Sequence, residues 1–406
     1  MLSKSIKPSS LINYSYEFLR PITNNNMATS YNFLPLILFL SSFLLLPATA
    51  TATAAAVHNN IPDSEKLSFD QVYQFGDSLS DTGNLVLENP VGAHTFANFP
   101  YGVSIHHPTG RCSDGLLIID YFAKYFHLPL LKPYLNKQAN STHGLNFAVA
   151  GSTALDTATL ASKNILSPVT SSSLSVQLNW FKSHLESTCG SGCKNKLHKS
   201  VFFIETGGND YNYALLQRKT LKEVKDMVPQ VVGAIKAAVE QVVSLGATRV
   251  VVPGNFPIGC LPIYLATFGT KDPNQYDDLK CLKGLNAFAK FHNDELKQAI
   301  RELQAEYFDK NVAVIYGDFY SGLRRILYNA DAFGFKKDEV HKACCGSGNN
   351  AYNFDLMKMC GNKGVPVCAD PSRLVSWDGI HLTQRAYMRM AQGLFQQIVP
   401  QILQVV

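Results

Sequence analysis

The chain has 406 residues, of which 46% are hydrophobic and 17% charged, the composition of a globular protein with ample length to bury a core. Its net charge is +5; residues 1–56 carry a surplus of +2, which leaves +3 for the remainder. So mild a surplus gives no footing for nucleic-acid binding.

In chain order, the first feature is the apolar run Phe33 to Leu46, FLPLILFLSSFLLL, followed by Pro47 and the small residues Ala48 to Ala56. It is short for a membrane span and ends in A-x-A-like sites. It therefore reads as a signal-peptide core (33–46) cleaved between about Ala50 and Ala56. Residues 1–56 are expected to be a leader and 57–406 one secretory domain with no membrane span after cleavage; a retained N-terminal anchor is the alternative. The long polar stretch before the apolar core makes Met27 a more ordinary start than Met1.

Next comes QVYQFGDSLSDTGN, Gln71 to Asn84. A β-prone run containing Phe69, Val72, Tyr73 and Phe75 stops at Gly76-Asp77-Ser78, which predicts a strand delivering Ser78 at its carboxyl end. Ligands of open α/β sheets bind outside those ends. Ser78 is thus a candidate nucleophile, or else a plain helix N-cap. The Pro-, Gly-, His- and aromatic-rich stretch Leu85 to Thr109 reads as a long loop over the same edge, its histidines solvated or structural. A helix is expected over Gly115 to Phe126.

Asn140-Ser141-Thr142 is a glycosylation acceptor in a polar stretch. Gly144 to Thr153, GLNFAVAGST, repeats the opening design: a strand from Asn146 to Val149 ending in small residues, with Gly151 beside Ser78 if the two strands are neighbours. A helix over Ser175 to Glu186 is closed by the Cys189 to Cys193 loop. Val201 to Thr206 is a third buried strand, ended by Gly207-Gly208-Asn209-Asp210. Thr220 to Glu223 fits a capping box for a helical region reaching Leu245, bent or restarted at Pro229. Strands follow at Arg249 to Val252 and Asn311 to Tyr316, with helices over Leu285 to Tyr307, from Asp318 to about Tyr328, and at the C-terminus to about Val399.

Strands alternating with helices predict a doubly wound, flavodoxin-like parallel sheet of about five strands, in one domain because no linker divides the mature chain. All nine cysteines lie beyond the leader, so a secretory route implies disulfides plus one odd thiol. Cys189 with Cys193 and Cys260 with Cys281 are plausible local pairs. Cys344, Cys345, Cys360 and Cys368 have an open connectivity, with a zinc site as the rival reading. Cys112 is left as the odd thiol.

Near the C-terminus, Ser376 to Thr383 reads SWDGIHLT. In a helical turn Asp378 and His381 would share a face, so the carboxylate could fix the imidazole tautomer and leave the other ring nitrogen for Ser78.

The blocks FGDSLSDTGN, NFAVAGST, GGND and WDGIHLT, in this order across residues 75–383, resemble the plant GDSL esterase/lipase family of SGNH hydrolases. The likeness covers essentially the whole mature chain. It extends to the branch with acetyl and hydroxycinnamoyl ester hydrolases of plant specialised metabolism. The resemblance implies an SGNH three-layer fold and a carboxylic ester hydrolase that works without metal or cofactor. It implies Ser78 as nucleophile, His381 as general base and later acid, and Asp378 as its orienting partner. The oxyanion donors would be the backbone N–H groups of Ser78 and Gly151 and the side-chain amide of Asn209. Asp77, Asp81 and Asp210 would brace loops. Ala150, Ser152, Leu116 and Leu382 depart from residues common in the family, which bears on substrate rather than on catalysis. The expected substrate is a small acyl ester, the protein a secreted (or vacuolar) monomer. Acyl transfer to an alcohol by the same residues, and a non-catalytic binding protein on a hydrolase scaffold, are the rival readings.

Overall fold

The computed structural model describes residues 69–189 and 192–405. The expected leader and its cleavage region lie outside them.

Five strands are present among the described residues: β1 (Gln71–Gly76), β2 (Gly144–Asn146), β3 (Ser200–Glu205), β4 (Arg249–Pro253) and β5 (Ala313–Gly317). All neighbours pair in parallel, in the order β2-β1-β3-β4-β5. This is the doubly wound order in which the direction of winding switches between β1 and β3. β3, β4 and β5 are largely apolar runs because both faces of the sheet are covered.

Seven helices of eight or more residues occur among the described residues: α1 (Ile118–Tyr125), α2 (Leu174–Thr188), α3 (Gly208–Leu216), α4 (Leu221–Leu245), α5 (Lys283–Glu306), α6 (Phe319–Tyr328) and α7 (Gln384–Ile402). α2, α4 and α5 pack together on one face, and α1, α6 and α7 on the other. The alternation along β3 shows how a pleated strand feeds both layers. Phe202 packs against Phe181 of α2, while Phe203 packs against Phe122 of α1, which in turn meets Phe395 of α7.

Several expected boundaries shift. β2 ends at Asn146 rather than beginning there. The chain beyond still tracks β1 through Phe147 N–H to Gln74 O and Val149 N–H to Gly76 O. α4 is a single helix through Pro229 rather than two. It is long and apolar enough to cross a membrane, but Val224, Val228, Val231, Ile235 and Val242 bury a stripe while Lys222, Glu223 and Asp226 face out, the signature of a core helix. The Leu85 to Thr109 stretch is irregular apart from short helical turns, and the segment closing α2 carries a short helix, Cys193–Leu197.

Four disulfides join Cys189 to Cys193, Cys260 to Cys281, Cys344 to Cys368 and Cys345 to Cys360. Cys112 is free and buried.

Candidate active site

β1 ends where a tight turn begins. The carbonyl of Asp77 accepts the N–H groups of Ser80 and Asp81, and its carboxylate accepts that of Leu79. This single turn lifts Ser78 to the carboxyl edge of the sheet with its side chain partly exposed. Asp81 locks the turn to its neighbours: its two oxygens accept the N–H groups of Gly83, Asn84, Leu85 and Ala150. The last of these ties the serine turn to the segment after β2, one residue from Gly151.

The segment carrying Asp378 and His381 arrives from 303 positions away. It is an Asx turn, not the helical turn expected from the spacing. Asp378 Oδ1 accepts the backbone N–H groups of Ile380 and His381 at 3.0 and 2.8 Å. Gly379 completes the reversal at φ +95°, where a side chain would also strike the ring of Phe354. The turn aims the imidazole by its own backbone: His381 Nδ1 lies 2.7 Å from Asp378 Oδ2, and Nε2 lies 2.8 Å from Ser78 Oγ.

Five hydrogen bonds from three segments hold this turn from outside. Tyr101, from the long irregular segment, donates its hydroxyl to Asp378 Oδ2 at 2.9 Å. The disulfide-bonded Cys344 and Cys345 donate backbone N–H groups to the carbonyls of Ser376 and Trp377. On the other side the Ser113 hydroxyl bonds the Leu382 carbonyl and Asp114 accepts the N–H of Gln384. Asp378 is 1% exposed and His381 5%. Burial alone would raise the Asp378 carboxyl, but His381 and the N–H donors outweigh it and hold the group below the ordinary carboxylate range.

Gly151 and Asn209 complete the set of expected site residues. Gly151 sits at φ +83° between Val169 and Tyr213, whose hydroxyl donates to the Gly151 carbonyl at 2.7 Å. Asn209 opens α3 and donates Nδ2–H to the Ser152 carbonyl at 2.9 Å. Among the described residues neither the Ser78 N–H nor the Gly151 N–H has a protein acceptor, and Asn209 Nδ2 retains a second hydrogen. Ser78 and Asn209 line one cleft of about 520 Å³ that opens to solvent. Leu79, Phe256, Ile258, Leu261 and Ile380 form its apolar wall, Asn212 and Asn255 its other amides.

Asp77 and Glu205 are both buried at the ends of neighbouring strands beneath Ser78, where Glu205 Oε2 accepts the Ser80 hydroxyl at 2.9 Å. Burial pushes Asp77 up to about 6 and Glu205 well above its ordinary range. Asp210 accepts the N–H groups of Ala154 and Leu155, so it braces the Gly151 loop.

Sequence reasoning missed Tyr101, Glu205 and the Asn212 amide. Tyr101 and Glu205 meet partners far along the chain, and Asn212 is anchored by the distant Tyr264; the apolar strand ending in a lone buried Glu205 was the one legible signal. No group of three or more His, Cys, Asp or Glu suited to a metal occurs among the described residues, and the zinc reading fails because Cys344, Cys345, Cys360 and Cys368 are all in disulfides.

A family model described as GDSL-like lipase/acylhydrolase matches residues 72–394. The chain is 43% identical over 340 residues to acetylajmalan esterase 2 of Rauvolfia serpentina, covering 82% of this chain and 91% of that protein. It is also 43% identical over 336 residues to a GDSL esterase/lipase of Arabidopsis thaliana, covering 81% and 82%. A second Arabidopsis thaliana GDSL esterase/lipase is 41% identical over 343 residues, covering 84% and 93%.

Proposed function

Because the chain belongs to the GDSL-like lipase/acylhydrolase family and is a carboxylic ester hydrolase, we propose that it cleaves esters through an acyl-enzyme formed on Ser78. His381 Nε2 takes the hydroxyl proton as Ser78 Oγ adds to the ester carbonyl. The N–H groups of Ser78 and Gly151 and the Asn209 amide hold the oxyanion. As the tetrahedral species collapses, the ester C–O bond breaks and His381 returns the proton to the departing alcohol. Water, activated by the same imidazole, then releases the acid. Asp378 fixes the tautomer and stabilises the imidazolium. Every proton in this cycle moves between substrate, water, Ser78 and His381, so no metal or cofactor enters.

The observation that carries the reading is the unbroken contact from Ser78 Oγ through His381 to Asp378 Oδ2, at 2.8 and 2.7 Å. The Ser78 N–H, without a protein acceptor among the described residues, and the remaining Asn209 Nδ2 hydrogen beside the cleft support it further.

The substrate of this reading is a small acyl ester, acetyl or hydroxycinnamoyl, of a plant specialised metabolite. It is supported by the acetylajmalan esterases among the relatives and by a cleft of modest size with mixed apolar and amide walls. Residues 1–56 are a cleaved leader, 57–406 a single secreted monomeric domain, and Asn140 carries a glycan. Asn140 is exposed, and its Oδ1 accepts the Thr142 N–H, which presents the acceptor amide on an open turn.

The test is to assay parent and Ser78→Ala on short-chain p-nitrophenyl esters and on acetylated and hydroxycinnamoylated metabolites, with and without an acceptor alcohol. The reading requires free acid from the parent and none from the variant. Equal inertness of both would remove it, and a new ester in place of free acid would turn it into acyl transfer.

A further inference from the structure

Asn209 can serve as an oxyanion donor only if its amide is turned the right way, and an isolated amide flips at little cost. Its orientation here is set by a chain of three side chains. The chain starts at the Ser152 carbonyl, which can only accept. Asn209 Nδ2 lies 2.9 Å from that oxygen; the flipped amide would set Oδ1 there and oppose two acceptors.

With the nitrogen so placed, Asn209 Oδ1 accepts from Nδ2 of Asn212 at 3.1 Å. The two asparagines are three apart on α3 and so share a face. Asn212 Oδ1 in turn accepts the hydroxyl of Tyr264. A phenol can donate or accept, but the Ser152 carbonyl at the far end polarises the whole chain and makes Tyr264 the donor. Tyr264 is buried in the short helix Pro262–Phe268 and stacks on Phe268, so the end of the chain is fixed by packing.

We propose that Asn212, held by Tyr264, is a positioning residue that keeps the Asn209 amide nitrogen, not its oxygen, turned toward the oxyanion. This rests on the reading of Asn209 as an oxyanion donor. Without Asn212 the Asn209 oxygen loses its donor, and the rotated amide would present a lone pair to a developing negative charge.

Asn212→Asp separates the possibilities. It keeps the size and the acceptor for Tyr264 but sets a carboxylate oxygen against Asn209 Oδ1. The parent, Asn209→Ala, Asn212→Asp and the double variant are compared as full chains from a secretory host on p-nitrophenyl acetate. Asn212→Asp should lower kcat at least about tenfold with KM within about twofold of the parent. The double variant should be no slower than Asn209→Ala alone, since a residue acting through Asn209 has nothing left to position. Tyr264→Phe should show a smaller loss, also absent in the Asn209→Ala background.

Parental kcat in Asn212→Asp beside an impaired Asn209→Ala overturns the proposal, as do losses that multiply in the double variant. Parental kcat in Asn209→Ala overturns the donor assignment itself. If Asn212→Asp fails to fold, Asn212→Ala and Tyr264→Phe, each in both backgrounds, decide the same question.

Discussion

Tyr101→Phe removes one oxygen from the support of Asp378 and nothing else. The ring stays packed edge-on against Phe96 and Trp377, so the cavity left is no larger than a hydroxyl. The buried carboxylate then keeps three of its four hydrogen bonds: those from the His381 imidazole and from the backbone N–H groups of Ile380 and His381. A hydrogen bond to a charged group contributes roughly 1.5–3 kcal/mol. Because the Tyr101 ring is 1% exposed, water cannot readily replace the lost donor. We expect about 2 kcal/mol of stability to be lost, a fall of several degrees in Tm for a domain of this size. kcat/KM should fall about tenfold, since Asp378 Oδ2 is also the oxygen that orients His381. Thermal denaturation and p-nitrophenyl acetate hydrolysis measure the two effects. Parental Tm together with parental kcat/KM would refute the view that this long segment reaches in to hold the turn.

Other outcomes follow from the same geometry. Gly151→Ala sets a Cβ 2.5 Å from the Val169 side chain at φ +83°, so turnover should drop by about a hundredfold as the N–H is displaced; parental activity would show that the loop tolerates the shift. The raised values of Asp77 and Glu205 mean that the folded protein holds protons the unfolded chain has released above about pH 4. Their contribution to stability is full below that pH and is lost as pH rises through about 6 and beyond. Tm should therefore be higher at pH 5 than at pH 8, and Glu205→Gln should flatten the difference. Cys345→Ala with Cys360→Ala frees the platform that bonds the Trp377 carbonyl, so activity should be lost at a lower temperature than in the parent; coincident inactivation curves would contradict that role.

How legible the sequence is depends on how local the cause is. The cores of β1, β3, β4 and β5 are apolar runs whose reason is burial on both faces, and these four were readable on that ground. β2 was misplaced because its strand residues include the buried polar Asn146, while the apolar Phe147 to Val149 lies beyond the regular pairing. The Asp378–His381 pair was legible as a pair but not as a turn. Spacing of three suits a helix as well as an Asx turn, and the Asp-Gly step that decides between them is a weak signal. Cys189 with Cys193 and Cys260 with Cys281 follow from proximity, but four clustered cysteines allow three pairings and only the fold chooses. Tyr101 and Asn212 carry no motif at all. Their partners, Asp378 and Tyr264, lie 277 and 52 positions away, and only tertiary packing brings them together.

The central claim is that Ser78 becomes covalently acylated. A fluorophosphonate that stays on the attacked oxygen, followed by intact-mass and peptide mapping, tests it without knowledge of the natural ester. The account requires one adduct per chain, on Ser78, formed slowly or not at all in His381→Ala. An active enzyme that remains unlabelled, or is labelled at another residue, would contradict it.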